Sequence, residues 1–257
     1  MENNLEQTPS NENQNAHCHH HQSKSLGIII FASAFLMSSF FIGNSIKTLR
    51  SAGTITVKGY AEMDIVSDYA AWEGTINLSS TNLSDGYRNI NILKDRVEIY
   101  LVENGFKKED IEFGRLSYNE NIHYLNNGDT RHEGYIFHQS VYLGSSDVYK
   151  IRDISQKITE LIGEGIEFYS GEPQYSYTKI NDLKLKMIGI ASKDAKKRAV
   201  EIASSADNSI GSILSASQGV FQITPAGSNE VNDYGMNDMS SINKTIKSVV
   251  TIQYSVE

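Results

Sequence analysis

The sequence predicts an α+β fold: a mostly antiparallel sheet with helices packed on one face, preceded by one N-terminal transmembrane helix. Three observations predict it. Residues 26–46, LGIIIFASAFLMSSFFIGNSI, contain no charged residue. From Thr54 onward, stretches of apolar–polar alternation are interleaved with stretches of helical spacing. These strands and helices do not alternate one for one, which favours antiparallel pairing over parallel crossover units.

Residues 1–24 are rich in Asn, Gln, Glu and Ser, show no apolar period, and read as a disordered tail. Within that tail His17, Cys18, His19, His20 and His21 gather four of the seven histidines and the only cysteine. Adjacent imidazoles and a thiol can coordinate soft or borderline metal ions, so these five are the candidate metal ligands. Ligands clustered in a disordered tail make a loose site, and an expression tag is disfavoured because Cys18 interrupts the histidines.

Residues 25–46 read as a transmembrane helix. As a helix, residues 26–46 span about 32 Å, enough to cross a hydrocarbon core of ~30 Å. The apolar run exceeds the roughly 7–15 residues of a cleaved signal and no A-x-A-like site follows, so an uncleaved anchor is expected. Lys24 precedes it, while Lys47, Arg50 and Lys58 follow. Taken alone, that balance leans toward a cytoplasmic C-terminal domain. Residues 47–53 read as a linker and residues 54–257 as the folded domain.

In the domain, TITVKGYAEMDIVSDYAAWEGTINLSS carries two alternating runs, about 54–64 and 68–80, read as a pair of strands. Ile90, Leu93, Val97 and Leu101 then recur at helical spacing, with Asn82 or Ser84 as cap and Gly105 as stop. DIEFGRLSYNENIHY and GYIFHQSVYLGSS read as strands joined by a hairpin at Asn127-Gly128. A second helix starts at Asp147 and stops at Gly163 and Gly165. IEFYSGEPQYSYT is extended, and a long helix runs from about Asn181 to Asp207. SILSASQGVFQIT and INKTIKSVVTIQYSVE are the last strands, separated by a Gly/Asn/Asp/Ser-rich segment, 225–241, that reads as a mobile loop.

The formal charge of −8, without a long Lys/Arg block, argues against a nucleic-acid partner, and none is expected. No cysteine follows Cys18, so the domain must be held by its core rather than by disulfides. No P-loop, G-x-G-x-x-G, H-E-x-x-H, C-x-x-C or G-x-S-x-G motif occurs, so neither an enzyme nor a cofactor is expected. One pair invites a test. A two-residue turn at Asn127-Gly128 would pair His123 with His132 on one sheet face, near Glu120 or Glu133. Two imidazoles fall short of the three or four ligands of a tight zinc site.

The long helix is the most informative segment. Ala191, Ala195, Ala199 and Ala203 recur every four residues, a ridge of small side chains that permits close approach to a neighbour. Lys193, Lys196 and Lys197 fall largely away from it and read as a solvated face. Asp194 and Arg198 are spaced for an i, i+4 ion pair. This stretch resembles the SIMPL domain family, through Gly165 and Phe168, then Ala191, Asp194, Ala195, Arg198, Ala199 and Ala203, then Gly211. Val57, Gly59 and Ala61 resemble the family's opening strand. Asn208 departs from it, standing where the family often has Gly; Asn also tolerates a left-handed cap.

The resemblance covers roughly residues 53–257. It implies an exported or membrane-anchored bacterial protein with its domain in the periplasm or outside the cell, which overrides the charge balance and puts the N-terminus in the cytoplasm. It also implies ring-like homo-oligomers and a link to envelope or oxidative-stress tolerance, and carries no catalytic residues. The expected function is therefore a single-pass, inner-membrane-anchored, non-enzymatic domain that self-assembles or binds a protein partner. The alternative is a metal-handling membrane protein using His17–His21, which would lie across the membrane from the domain.

Overall fold

A computed structural model describes residues 30–42 and 53–257, except Asn127. Residues 30–42 form helix α1, exposed along its whole length, from 57% at Ile42 to 81% at Phe31. Among the described residues no helix is long and apolar enough to cross a membrane; α1 is the described part of the expected 25–46 span.

The domain begins with β1 (Thr54–Val66) and β2 (Tyr69–Ser80), then α2 (Leu83–Glu103), β3 (Ile111–Phe113), β4 (Ser117–Tyr124) and β5 (Thr130–Ser145). Next come α3 (Val148–Lys157), β6 (Glu167–Ser170), β7 (Gln174–Ser176) and α4 (Ile180–Ser204). It closes with β8 (Ile210–Gln218), β9 (Gln222–Pro225), β10 (Met236–Asn237) and β11 (Asn243–Val256). The class is α+β and the pairing nearly all antiparallel, but there are two sheets rather than one. The first has order β1-β11-β9-β10 with β8 also on β11; the second has order β3-β5-β2-β6 with β4 on β5 and β7 on β2.

Both expected strands form, but they do not pair with each other. β1 pairs along its whole length with the C-terminal β11, and β2 pairs with β5. Only Ser67 and Asp68 connect them. Ser67 N–H bonds to Ile242 O at 2.8 Å and Asp68 N–H to Ser176 O at 3.0 Å, which commits the chain to cross between sheets. Such a long-range choice is invisible to local alternation.

Each sheet carries helices on one face. Across the second sheet, α2 and α3 bury Ile90, Val97, Leu101, Ile151 and Ile154 against Trp72, Ile76, Phe137, Val141 and Leu143. The Asn82 side chain caps α2 by accepting from Ser84 N–H and Asp85 N–H. Asp147 caps α3, whose path continues as a tighter 3₁₀ turn, Ile158–Glu164, ended by left-handed Gly165. Trp72 stacks on Phe168, and its indole N–H donates to Ser170 Oγ at 3.1 Å.

Against the first sheet, α4 lays the alanine ridge. Ala191, Ala195 and Ala199 are fully buried and Ala203 is 2% exposed. Opposite lies Gly59 of β1. A Cβ there would sit 2.0 Å from Ala191 O, 2.6 Å from Ala195 N and 2.7 Å from Ala195 Cβ. Small residues on both elements let the helix backbone ride directly on the strand. α4 ends in a Schellman arrangement, Asn208 N–H to Ala203 O at 3.0 Å and Asp207 N–H to Ser204 O at 3.2 Å. The left-handed residue is Asp207, at φ 56, one position before the Asn208 expected from the sequence.

The last expected strand pair also differs. SILSASQGVFQIT is two strands, broken where Gly219 N–H bonds to Val249 O at 2.9 Å. The 225–241 loop contains β10, parallel to β9, and is tied back by Asp238 N–H to Ile223 O at 2.9 Å.

Gly59→Ala has no room except by lifting the helix, so it should cost about 3 kcal/mol or more in urea unfolding. Gly189→Ala lies in the same helix where an added Cβ meets nothing within 4 Å. It should be neutral or stabilise by up to ~1 kcal/mol.

Candidate interaction site

The metal candidates His17, Cys18, His19, His20 and His21 lie outside the described residues. The His123–His132 pair does not form. The hairpin closes with Leu125 N–H on Asp129 O at 2.8 Å, so His123 opposes Arg131 and His132 opposes Ile122. This register is one residue away from that of a two-residue turn, and a one-residue slip sends the two imidazoles to opposite faces. A bulge at Asn121/Ile122 restores the longer register. Glu133 instead pairs with Arg131, whose hydrogen bond holds its carboxyl below the usual range. Among the described residues no group of three His, Cys, Asp or Glu side chains could hold a metal ion.

The structure does single out the two margins of the first sheet. At one margin, β1 has β11 as its only strand partner among the described residues. Helix α4 caps this edge at one point: Tyr60 N–H donates to Asp194 Oδ2 at 2.9 Å, and Arg198 Nε donates to the same oxygen at 2.7 Å. The backbone donor first, then the guanidinium, hold the Asp194 carboxyl below its usual value. The sequence reading gives Asp194 only the Arg198 pair. Its bond to β1 depends on the Gly59 contact, which sets helix and strand close enough for the carboxylate to reach. On the outer face, Tyr60 OH donates to Glu62; burial first, then Glu62, push the phenol up to about 12.

The opposite margin is shared by β10 and β8, and β8 carries no such bond from α4. Among the described residues its only strand partner is β11, and residues 212–218 are exposed on both faces. Ile213 is 59% and Leu214 53% exposed. Register shifts at Gln253/Tyr254 and Tyr254/Val256 bend its first half, while Ser215–Gln218 pairs regularly with Val250–Gln253. No charged residue lies between Asp207 and Glu230. Exposed edge strands are commonly guarded by charge or proline, and β8 carries neither, so it can accept another strand.

Lys244 also matters and carries no motif. It is 2% exposed, the one lysine among the buried residues. Its signal in the sequence is parity: it falls in phase with Ile246, Val250, Ile252 and Tyr254, the buried face of β11.

Because the folded pKa of Asp194 is depressed, its contribution is fully present above the unfolded value of ~3.9 and is lost as pH falls through the folded value. Asp194→Ala should lower stability at pH 7 by about 1 kcal/mol, a melting shift of roughly 2–4 °C. The difference from wild type should shrink as melting is repeated at progressively more acidic pH.

Comparison with curated proteins found no match. The family model described as "SIMPL: Protein of unknown function (DUF541)" matches residues 55–257.

Proposed function

The chain belongs to the SIMPL family, and from that premise we propose a membrane-tethered, non-enzymatic module that assembles with copies of itself through β8. The N-terminal helix anchors it in the cytoplasmic membrane, with the tail in the cytoplasm and the domain outside. Helix α1 supports the anchor: it is apolar, uncharged, and exposed on every side. The cysteine-free domain is compatible with an oxidising compartment. This reading carries with it a role in envelope or oxidative-stress tolerance.

The single observation behind self-assembly is the uncharged β8, free at its edge and on both faces. Chains of net charge −8 repel one another, and like charges opposed across strands are destabilising. The Asp207–Glu230 interval is where two copies can meet without that cost. β8 against β8, antiparallel across a two-fold axis, makes a continuous sheet through two domains. The β1 margin is the poorer partner because Asp194 already occupies Tyr60 N–H.

In detergent, sedimentation velocity of the full chain should show a dimer or larger species. Leu214→Lys with Ala216→Lys, both at exposed positions, should give monomers with melting little changed. A wild-type monomer at high concentration, or variants that associate like wild type, would refute the β8 interface.

A further inference from the structure

A half-open cavity of about 480 Å³ lies where the two sheets meet, lined by β7, the start of α4 and the loop between β9 and β11. Its walls include Ile65, Tyr175, Ile180, Phe221 and Met236, and its only charged lining residues are Lys184 and Lys244. In a chain of net charge −8, a cavity whose charged lining is wholly cationic stands against the overall balance.

Lys244 is buried among the lining residues. Its Nζ donates to Tyr175 O at 2.7 Å and to Asp238 O, linking the second sheet to the loop. An ammonium has three donors and these carbonyls take two, which leaves one N–H without an acceptor among the described residues. Burial lowers the Lys244 pKa, and the nearby Asp238 charge works against that. Asp238 Oδ1 accepts from Ser240 N–H at 2.9 Å and Ser240 Oγ at 2.7 Å. Its desolvation is outweighed by those bonds and by the Lys244 charge, and its carboxyl lies below the usual range. Asp238 thus balances Lys244 from the loop side. Lys184, with Nζ 5.6 Å from the Phe221 ring centre, has no ion-pair partner among the described residues, so it supplies surplus positive charge.

We propose that this cavity binds a monoanionic amphiphile: a carboxylate on an apolar body the size of a short fatty acid. The carboxylate takes the remaining Lys244 N–H and faces Lys184, while the body lies against Ile180, Phe221 and Met236. A neutral apolar ligand would leave a buried ammonium donor without an acceptor, which is costly. A polyphosphate would bring several charges to a site with one in surplus and walls that are mostly apolar.

The test is calorimetric titration of the full chain in lipid nanodiscs, with empty nanodiscs subtracted, using octanoate and its neutral counterpart octanamide. Octanoate should bind at least tenfold more tightly than octanamide. Lys184→Gln should reduce that preference severalfold, and Met236→Trp, which narrows the apolar part of the cavity and keeps both lysines, should weaken binding of both. Lys244→Met should abolish the preference; should it fail to fold, Lys184→Gln and Met236→Trp decide the matter. Equal binding of octanoate and octanamide, no binding of either, or octanoate binding unaffected by Met236→Trp would overturn the proposal. The assembly variant Leu214→Lys/Ala216→Lys should bind octanoate as wild type does, which separates this site from the β8 interface.

Discussion

The first layer of the domain depends on one close approach, the backbone of α4 on the backbone of β1 at Gly59. With an added Cβ only 2.0 Å from Ala191 O, no other residue fits without moving the helix. Four alanines on one side and a glycine on the other replace interlocking bulk with short distance. The gain is less apolar area than a leucine ridge would bury, but precise placement of the polar atoms alongside. Asp194 reaches Tyr60 N–H only because the helix sits this near.

That placement makes the two margins of the sheet unlike. The β1 margin carries a carboxylate bonded to its backbone and fixed by Arg198. The β8 margin extends beyond the helix, with side chains exposed on both faces and no charge. A sheet capped at Tyr60 on one side and uncharged along β8 on the other would, on the proposed assembly, extend at β8. It favours a two-fold pairing at β8 over an open-ended filament that would need both edges.

Much of this fold was legible from local pattern. Alternation located β1, β2 and β11, helical spacing located α2, Asn82 or Ser84 stood as its cap and Asn82 fills that place, and Asp147 marked the start of α3. The alanine ridge announced a close helix contact before any partner was known. Pairing was not legible, because β1 reaches its partner nearly the whole length of the domain away, and nothing in TITVKGYAEMDIV names β11. The hairpin register was lost by a single residue at Leu125–Asp129, and that slip dissolved the histidine pair. Lys244 carries no motif, and only its parity with Ile246 and Val250 marks it for the buried face. Chemistry that depends on a register or on two sheets meeting is absent from any local window.

The central claim is that β8 is the margin where copies meet while β1 is closed within each copy. Hydrogen–deuterium exchange of the full chain in detergent, followed residue by residue over a range of protein concentrations, tests it most directly. The account predicts that β8 amides in the Ser212–Gln218 segment become more protected as concentration rises, while the Tyr60 amide is protected to the same degree throughout. Exchange in β8 that stays fast and independent of concentration, or a Tyr60 amide that gains protection in its place, would contradict it.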